Sequence, residues 1–311
     1  MARILVTGIN GFVGKHLARE LKSREHSVLG VGREDSVNNE VATIVSDYFR
    51  CDLTDPSDVS TLPIDEIDAV INLAGLARVG DSFKDPDKYN QVNVAVLSVL
   101  GSRMVEGKNS TRLIAISTGA VYDPHQELPL SEGSGTSLEG SPYTTSKLLM
   151  EKAANEFRNH GLDCVVVRPF NHIGPGQEPG FLVPDLFEKI TSSLKSGKPV
   201  EVGNLKTRRD YTDVRDVVKA YADLAESQEL TYDLFNVCSS KSVAGEEILE
   251  RLLGLMHKEA KIKVLVNPDF IRASDPMELY GSYERLNKET GWRPTYTLEK
   301  TLEDFVNSKI N

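Results

Sequence analysis

Tyr143-Thr144-Thr145-Ser146-Lys147 sets a phenol and an ammonium four residues apart. On a helix that spacing puts both side chains on one face. Ser141-Pro142 just ahead reads as an N-cap followed by the proline that suits the first helical position. A free tyrosine titrates near pH ~10 and moves protons poorly at neutral pH. A neighbouring cation favours its phenolate, which makes the phenol a usable proton donor to a carbonyl oxygen. Tyrosine and lysine at this spacing also occur on ordinary amphipathic helices, so the pair needs company. Ile116-Ser117-Thr118-Gly119-Ala120-Val121-Tyr122 supplies it: an apolar run ends in hydroxyls, one of which could hold the same oxygen.

A proton given to a carbonyl oxygen is matched by a hydride on its carbon, and the N-terminus carries a site for a hydride donor. Gly8-Ile9-Asn10-Gly11-Phe12-Val13-Gly14 follows one apolar run and opens a helical pattern. A pyrophosphate needs close approach to backbone, and a helix N-terminus offers it free N–H groups and partial positive charge. Gly8, Asn10, Gly11, Phe12, Val13 and Gly14 are therefore expected at a dinucleotide. The second apolar run ends Gly30-Val31-Gly32-Arg33. NAD enzymes commonly place an acid here for the ribose 2′-hydroxyl. The acid is missing, and a guanidinium at Arg33 can clasp a 2′-phosphate. The expectation is NADP(H), with NAD(H) possible. Asp52-Leu53 is expected to meet the adenine, and Leu73, Ala74 and Gly75 to let the cofactor lie over a strand end.

The elements that must position these groups alternate. Short β-branched runs at Ile4–Thr7, Ser27–Val31, Tyr48–Cys51, Ala69–Leu73, Leu113–Ser117 and Leu162–Val167 read as strands covered on both faces. Helical patterns run over Phe12–Ser23, Lys88–Glu106 and Tyr143–His160. Such alternation predicts an α/β fold with a Rossmann-type, doubly wound parallel sheet. After Arg168-Pro169 the texture changes: Asn171–Pro184 reads as loop, Asp213–Glu226 as helix and Asp233–Val237 as strand. Residues 1–168 are expected to form the cofactor domain, with 213–237 returning to it, and 169–311 a smaller α+β substrate region. The polar stretch Pro124–Ser141 reads as a lid or a plain surface loop.

Composition excludes several alternatives. The 311 residues carry a net charge of −10, which argues against a nucleic-acid partner. No apolar run reaches the ~18 residues of a membrane span, and the N-terminus has no secretory pattern, so a cytoplasmic location is expected. Cys51, Cys164 and Cys238 lie far apart and the histidines are scattered, so no metal site is expected.

Together these residues resemble the extended short-chain dehydrogenase/reductase family, of the NAD-dependent epimerase/dehydratase type. The likeness runs over nearly the whole chain. It takes in Gly8–Gly14, Asp52-Leu53, Asn72–Gly75, Asn93, Thr118–Tyr122, Tyr143–Lys147, Arg168–Asn171, Arg209–Asp216 and Gly291–Pro294. The resemblance implies a Thr118, Tyr143 and Lys147 triad, with Ser117, Asn93, Tyr143 and Lys147 also at the cofactor. Within the family, Arg168–Gln177, Val202–Leu205 and Tyr232–Ser239 resemble reductases of GDP-linked 4-keto-6-deoxy sugars. That likeness implies hydride delivery to C4 of GDP-4-keto-6-deoxy-D-mannose, giving GDP-D-rhamnose. Asn171, Val202, Arg209 and Arg272 would meet the substrate, and His172 would order their loop. A dTDP-linked substrate and an NAD-dependent 4-epimerase are the alternatives. Dehydratases of this family carry Asp-Glu where Gly119-Ala120 stand. The epimerases use the acid that Gly32 replaces. The family pattern also implies a homodimer, through a four-helix bundle near Lys88–Glu106 and Tyr143–His160.

Overall fold

A computed structural model describes residues 1–107, 110–256, 262–271 and 276–310. The N-terminal part runs β1 (Arg3–Thr7), α1 (Phe12–Ser23), β2 (Ser27–Gly32), β3 (Asp47–Arg50), α2 (Pro56–Val59) and β4 (Ala69–Asn72). It continues with α3 (Val79–Ser82), α4 (Pro86–Gly107), β5 (Arg112–Ile116), α5 (Pro142–Asn159) and β6 (Cys164–Pro169). Next come β7 (Asn171–Ile173), α6 (Leu182–Ser196), β8 (Val200–Val202), β9 (Arg208–Asp213), α7 (Val214–Glu226) and β10 (Leu234–Val237). The chain closes with β11 (Ser242–Ala244), α8 (Gly245–Leu255), β12 (Val264–Val266), β13 (Glu278–Leu279), α9 (Glu284–Thr290) and α10 (Leu298–Ile310).

Seven strands form one parallel sheet in the order β10-β6-β5-β4-β1-β2-β3. The order reverses beside β1, the crevice where ligands lie in doubly wound sheets. One face is covered by α1 and α7 over Val6, Ile71, Val167 and Phe235, the other by α4 and α5 over Leu5, Val70, Leu113 and Val166. Burial on both faces is why these strands are apolar at successive positions. α7 packs on α1 and β10 pairs with β6, so the stretch 213–237 lies against the first half.

The C-terminal region builds smaller sheets, β11-β9-β13 with β7 also on β9, and β12-β8. Its own core gathers Ile173, Val183, Leu186, Ile248, Leu252 and Phe305. Asn171–Ile173 is therefore strand, where the sequence reads as loop. Its pairing residues, Tyr211–Asp213, lie far along the chain, so no local pattern announces it. The stretch 124–141 is tied down: Leu130 is fully buried, exchanges backbone hydrogen bonds with Tyr280 and Ser282, and Glu132 accepts from the Asn236 N–H. Among the described residues no helix is long and apolar enough to cross a membrane, and no His/Cys/Asp/Glu group could hold a metal ion.

Candidate active site

The glycine turn is shaped around backbone. Gly8 has φ +66°, a left-handed conformation that costs glycine little. A Cβ on Gly14 would run into the carbonyl oxygens of Gly8 and, at 2.6 Å, Ile9. α1 can thus start directly beneath β1. Its N-cap, Gly11, makes no side-chain cap, and its first turn holds no acid. The leading N–H groups and the positive end of the helix dipole are left for an anion. These features fit a dinucleotide pyrophosphate. Thr7, which the sequence reading passed over, braces the turn: its hydroxyl donates to Asn72 Oδ1 (2.6 Å) and accepts from the Ala74 N–H (3.0 Å).

Not every expected cofactor residue presents its side chain. Leu53 lies in the core under the sheet. Asn93 accepts from the Leu76 N–H (2.8 Å) and donates to Ser146 Oγ (2.8 Å), so its amide ties the β4 loop to α5. Asn10 donates to Glu34 Oε2 (3.0 Å) and Ser36 O (3.2 Å) and accepts from the Asn38 N–H (2.8 Å). It therefore fixes the segment after β2. Arg33 is exposed there and lines a hollow of about 470 Å³ with Arg50, Cys51, Asp52 and Asp58. Asp52 is held ionised by the Thr54 N–H and hydroxyl, with Arg33 helping.

The candidate catalytic groups converge at the carboxyl end of β5. Ser141 caps α5 by accepting from the Thr144 N–H, with Pro142 at the first position, as the sequence predicts. That cap aims Tyr143 and Lys147 back at the strand end. The Thr118 hydroxyl lies within hydrogen-bonding reach of the Tyr143 phenol and accepts from the Ala120 N–H (3.2 Å). Lys147 is buried, and its Nζ donates to the Ile116 carbonyl (2.7 Å). Gly75 lies close by: a Cβ there would be 3.8 Å from that nitrogen.

Burial pushes the Tyr143 phenol up to about 12, opposed by the Thr118 hydroxyl. The nearby lysine is turned to the Ile116 carbonyl, and burial brings it down to about 8 against the pull of Glu151. At neutral pH the phenol therefore holds its proton.

Behind Lys147 lies a network that the sequence reading did not find. Glu151, one turn further along α5, forms a buried pair with Arg168, Nη2 to Oε2 at 2.6 Å and Nε to Oε1 at 2.9 Å. Ser117 Oγ also donates to this carboxylate (2.5 Å), so the Ser117 hydroxyl faces Glu151. Arg168 in turn covers the Tyr122 ring at 4.6 Å, and Tyr122 donates to Asn236 (2.7 Å). Gly119 is fixed by packing, since a Cβ would meet the Phe170 ring at 2.7 Å. An aspartate at 119 would require that ring to shift.

Of the expected substrate residues, Asn171 is exposed on β7, in register with Tyr211 on β9. Arg209, on the same face of β9 as Tyr211, is half-buried and donates to the Arg208 carbonyl (2.8 Å). Val202 has its side chain in the C-terminal core, and its carbonyl accepts from the Asn267 N–H (2.8 Å). Arg272 lies outside the described residues. His172 donates from Nδ1 to the Phe170 carbonyl (3.2 Å), is kept neutral by burial, and stacks on Phe12 (6.3 Å, 8°). The glycine turn and the loop after β6 thus touch through these two rings.

A doubly wound sheet, a pyrophosphate turn and a tyrosine–lysine pair at a strand end define a nucleotide-dependent oxidoreductase. Residues 4–238 match the NAD dependent epimerase/dehydratase family. GDP-6-deoxy-D-mannose reductase of Pseudomonas aeruginosa is 32% identical, over 98% of this chain and 96% of that protein. The structure of RMD from Pseudomonas aeruginosa complexed with NADPH superposes with a TM-score of 0.83 at 29% identity, covering 99% and 98% of the two chains. A Thermus thermophilus UDP-glucose 4-epimerase complex with NAD gives 0.85 at 27% identity, covering 98% of each. The chain belongs to the NAD dependent epimerase/dehydratase family, and it is an NAD(P)-dependent oxidoreductase.

Proposed function

We propose that this chain reduces the C4 ketone of a 4-keto-6-deoxy sugar nucleotide. The substrate in this reading is GDP-4-keto-6-deoxy-D-mannose, the product GDP-D-rhamnose, and NADPH is preferred to NADH. The observation that carries the reading is the meeting of the Thr118 hydroxyl, the Tyr143 phenol and buried Lys147 at the end of β5, close to Gly75 after β4. When bound, the nicotinamide supplies the hydride. Tyr143 gives its proton to the C4 oxygen, and Thr118 holds that oxygen in place. A phenol that keeps its proton at neutral pH suits the reductive direction. Gly119-Ala120, which carry neither an acid nor a base, speak against a dehydratase.

Gly8, Gly11, Gly14, the N–H groups of Phe12 and Val13, and Leu73 to Gly75 would receive the cofactor. Arg33, beside Arg50, would meet a 2′-phosphate, for which paired guanidiniums are well shaped. The Asn171 amide and the Arg209 guanidinium, with Arg272, would hold the substrate pyrophosphate. In this division residues 1–168 with 213–237 serve the cofactor, and 169–311 serve the sugar nucleotide. The likeness to GDP-6-deoxy-D-mannose reductase over nearly the whole chain supports the guanine base. α4 and α5, packed side by side, would form half of a four-helix bundle in a homodimer.

The test is a substrate panel. NADPH absorbance is followed while GDP-, dTDP- and UDP-linked 4-keto-6-deoxy sugars are added in turn. The reading expects stoichiometric loss of NADPH, fastest with the GDP-linked ketone. Interconversion of 4-epimers with no net loss of NADPH makes the chain an epimerase, and a faster dTDP-linked ketone changes the base.

A further inference from the structure

The end of β2 lacks the acid expected of an NAD enzyme, yet the space of that acid is filled. A Cβ on Gly32 would lie 2.6 Å from Glu34 Oε2 and 2.7 Å from the Tyr48 hydroxyl. A carboxylate from two residues further on thus stands where a side chain at position 32 would stand. It is placed there by specific contacts. Asn10 Nδ2, from the glycine turn, donates to Glu34 Oε2 (3.0 Å). Tyr48 Oη donates to the Glu34 carbonyl (2.8 Å), which sets the backbone that carries the side chain. Asn10 also grips Ser36 and Asn38, so the whole segment is anchored to the turn. Glu34's own N–H, the Asn10 amide and nearby Arg33 hold the carboxyl below its usual range, so it is an anion at neutral pH.

The opposite charge lies close by, at the same strand end. Arg33 and Arg50 line the hollow toward Asp52. Arg50 reaches Asp35 at 3.2 Å, but both side chains are largely in solvent, where such a pair holds weakly. An adenosine ribose at this strand end would have an acceptor anion and two guanidiniums near it.

We propose that Glu34 is a specificity-determining residue: its carboxylate accepts the 2′-hydroxyl of an unphosphorylated ribose and opposes a 2′-phosphate, against the attraction of Arg33 and Arg50. Both cofactors are therefore admitted, and Glu34 sets how far NADPH leads. The inference rests on the reading that this strand end receives the adenosine ribose.

The test is equilibrium binding to the cofactor-free protein, with NADPH and NADH titrated separately by calorimetry or by quenching of Trp292. Glu34→Gln keeps the size and the Asn10 contact while removing the charge. It is expected to weaken NADH and tighten NADPH, moving the ratio of the two Kd values by about tenfold, the size of one charge-assisted hydrogen bond. Arg33→Ala is expected to move the ratio the other way. Glu34 is exposed, so both variants should fold; an unchanged melting temperature checks this. A ratio that stays within twofold in Glu34→Gln, or two Kd values that move together, overturns the role of Glu34. If the parent protein binds neither nucleotide, the cofactor-site reading itself falls, and this inference with it.

Discussion

The carboxyl end of β5 and the end of β2 serve the same proposed reaction but are built on opposite plans. At β5 the polar groups are buried and linked: Lys147 to the Ile116 carbonyl, Ser117 and Arg168 to Glu151, Tyr122 to Asn236. At β2 the charged groups are exposed and of mixed sign: Arg33, Glu34, Asp35 and Arg50. A buried polar group left without its partner is costly, so the first arrangement permits few substitutions. Surface charges interact weakly and independently, so the second can be retuned one residue at a time. In the proposed reaction, chemistry would be held by the buried region, and cofactor choice by the exposed one.

The largest break in this comparison should come from Tyr143→Phe. It removes one hydroxyl in the buried region and is expected to lower kcat by about 10³-fold. The NADPH Kd should stay within about twofold, because the phenol acts on the carbonyl oxygen. Steady-state rates beside a binding titration check it, and near-normal turnover would remove Tyr143 from the mechanism.

A smaller but broader effect is expected from Arg168→Met. It leaves the Glu151 carboxylate buried without its cation, at a cost of about 3–5 kcal/mol. Thermal unfolding should shift down by roughly 5–8 °C. Adding Glu151→Gln should restore much of the loss, since both charges are then gone. Arg33→Ala, at the exposed end, should leave the melting temperature nearly where it was. Equal shifts for Arg168→Met and Arg33→Ala would erase the contrast.

The sequence made the buried region legible in outline. α1 begins and ends where its pattern predicts, at Phe12 and Ser23, and Ser141-Pro142 starts α5 as its cap chemistry requires. Those signals are local, carried by neighbouring residues. Glu151 was not legible, because a glutamate on a helix usually faces water; only Arg168 arriving from β6 makes it a buried partner. Glu34 was hidden for the same kind of reason. Its placement over Gly32 depends on Asn10 and Tyr48, both remote in sequence. β7 was hidden because its strand partner is β9. The burial of Val202 was not legible either: the short strand carrying it does not say which face is core.

The central claim is that hydride ends on C4 of the sugar. The most direct measurement uses NADPH deuterated at the transferable position, with GDP-4-keto-6-deoxy-D-mannose, and reads the product by NMR and mass spectrometry. The account predicts one deuterium per product, at C4, with one NADPH consumed for each. Product without deuterium, or NADPH left intact while the sugar changes, would contradict it.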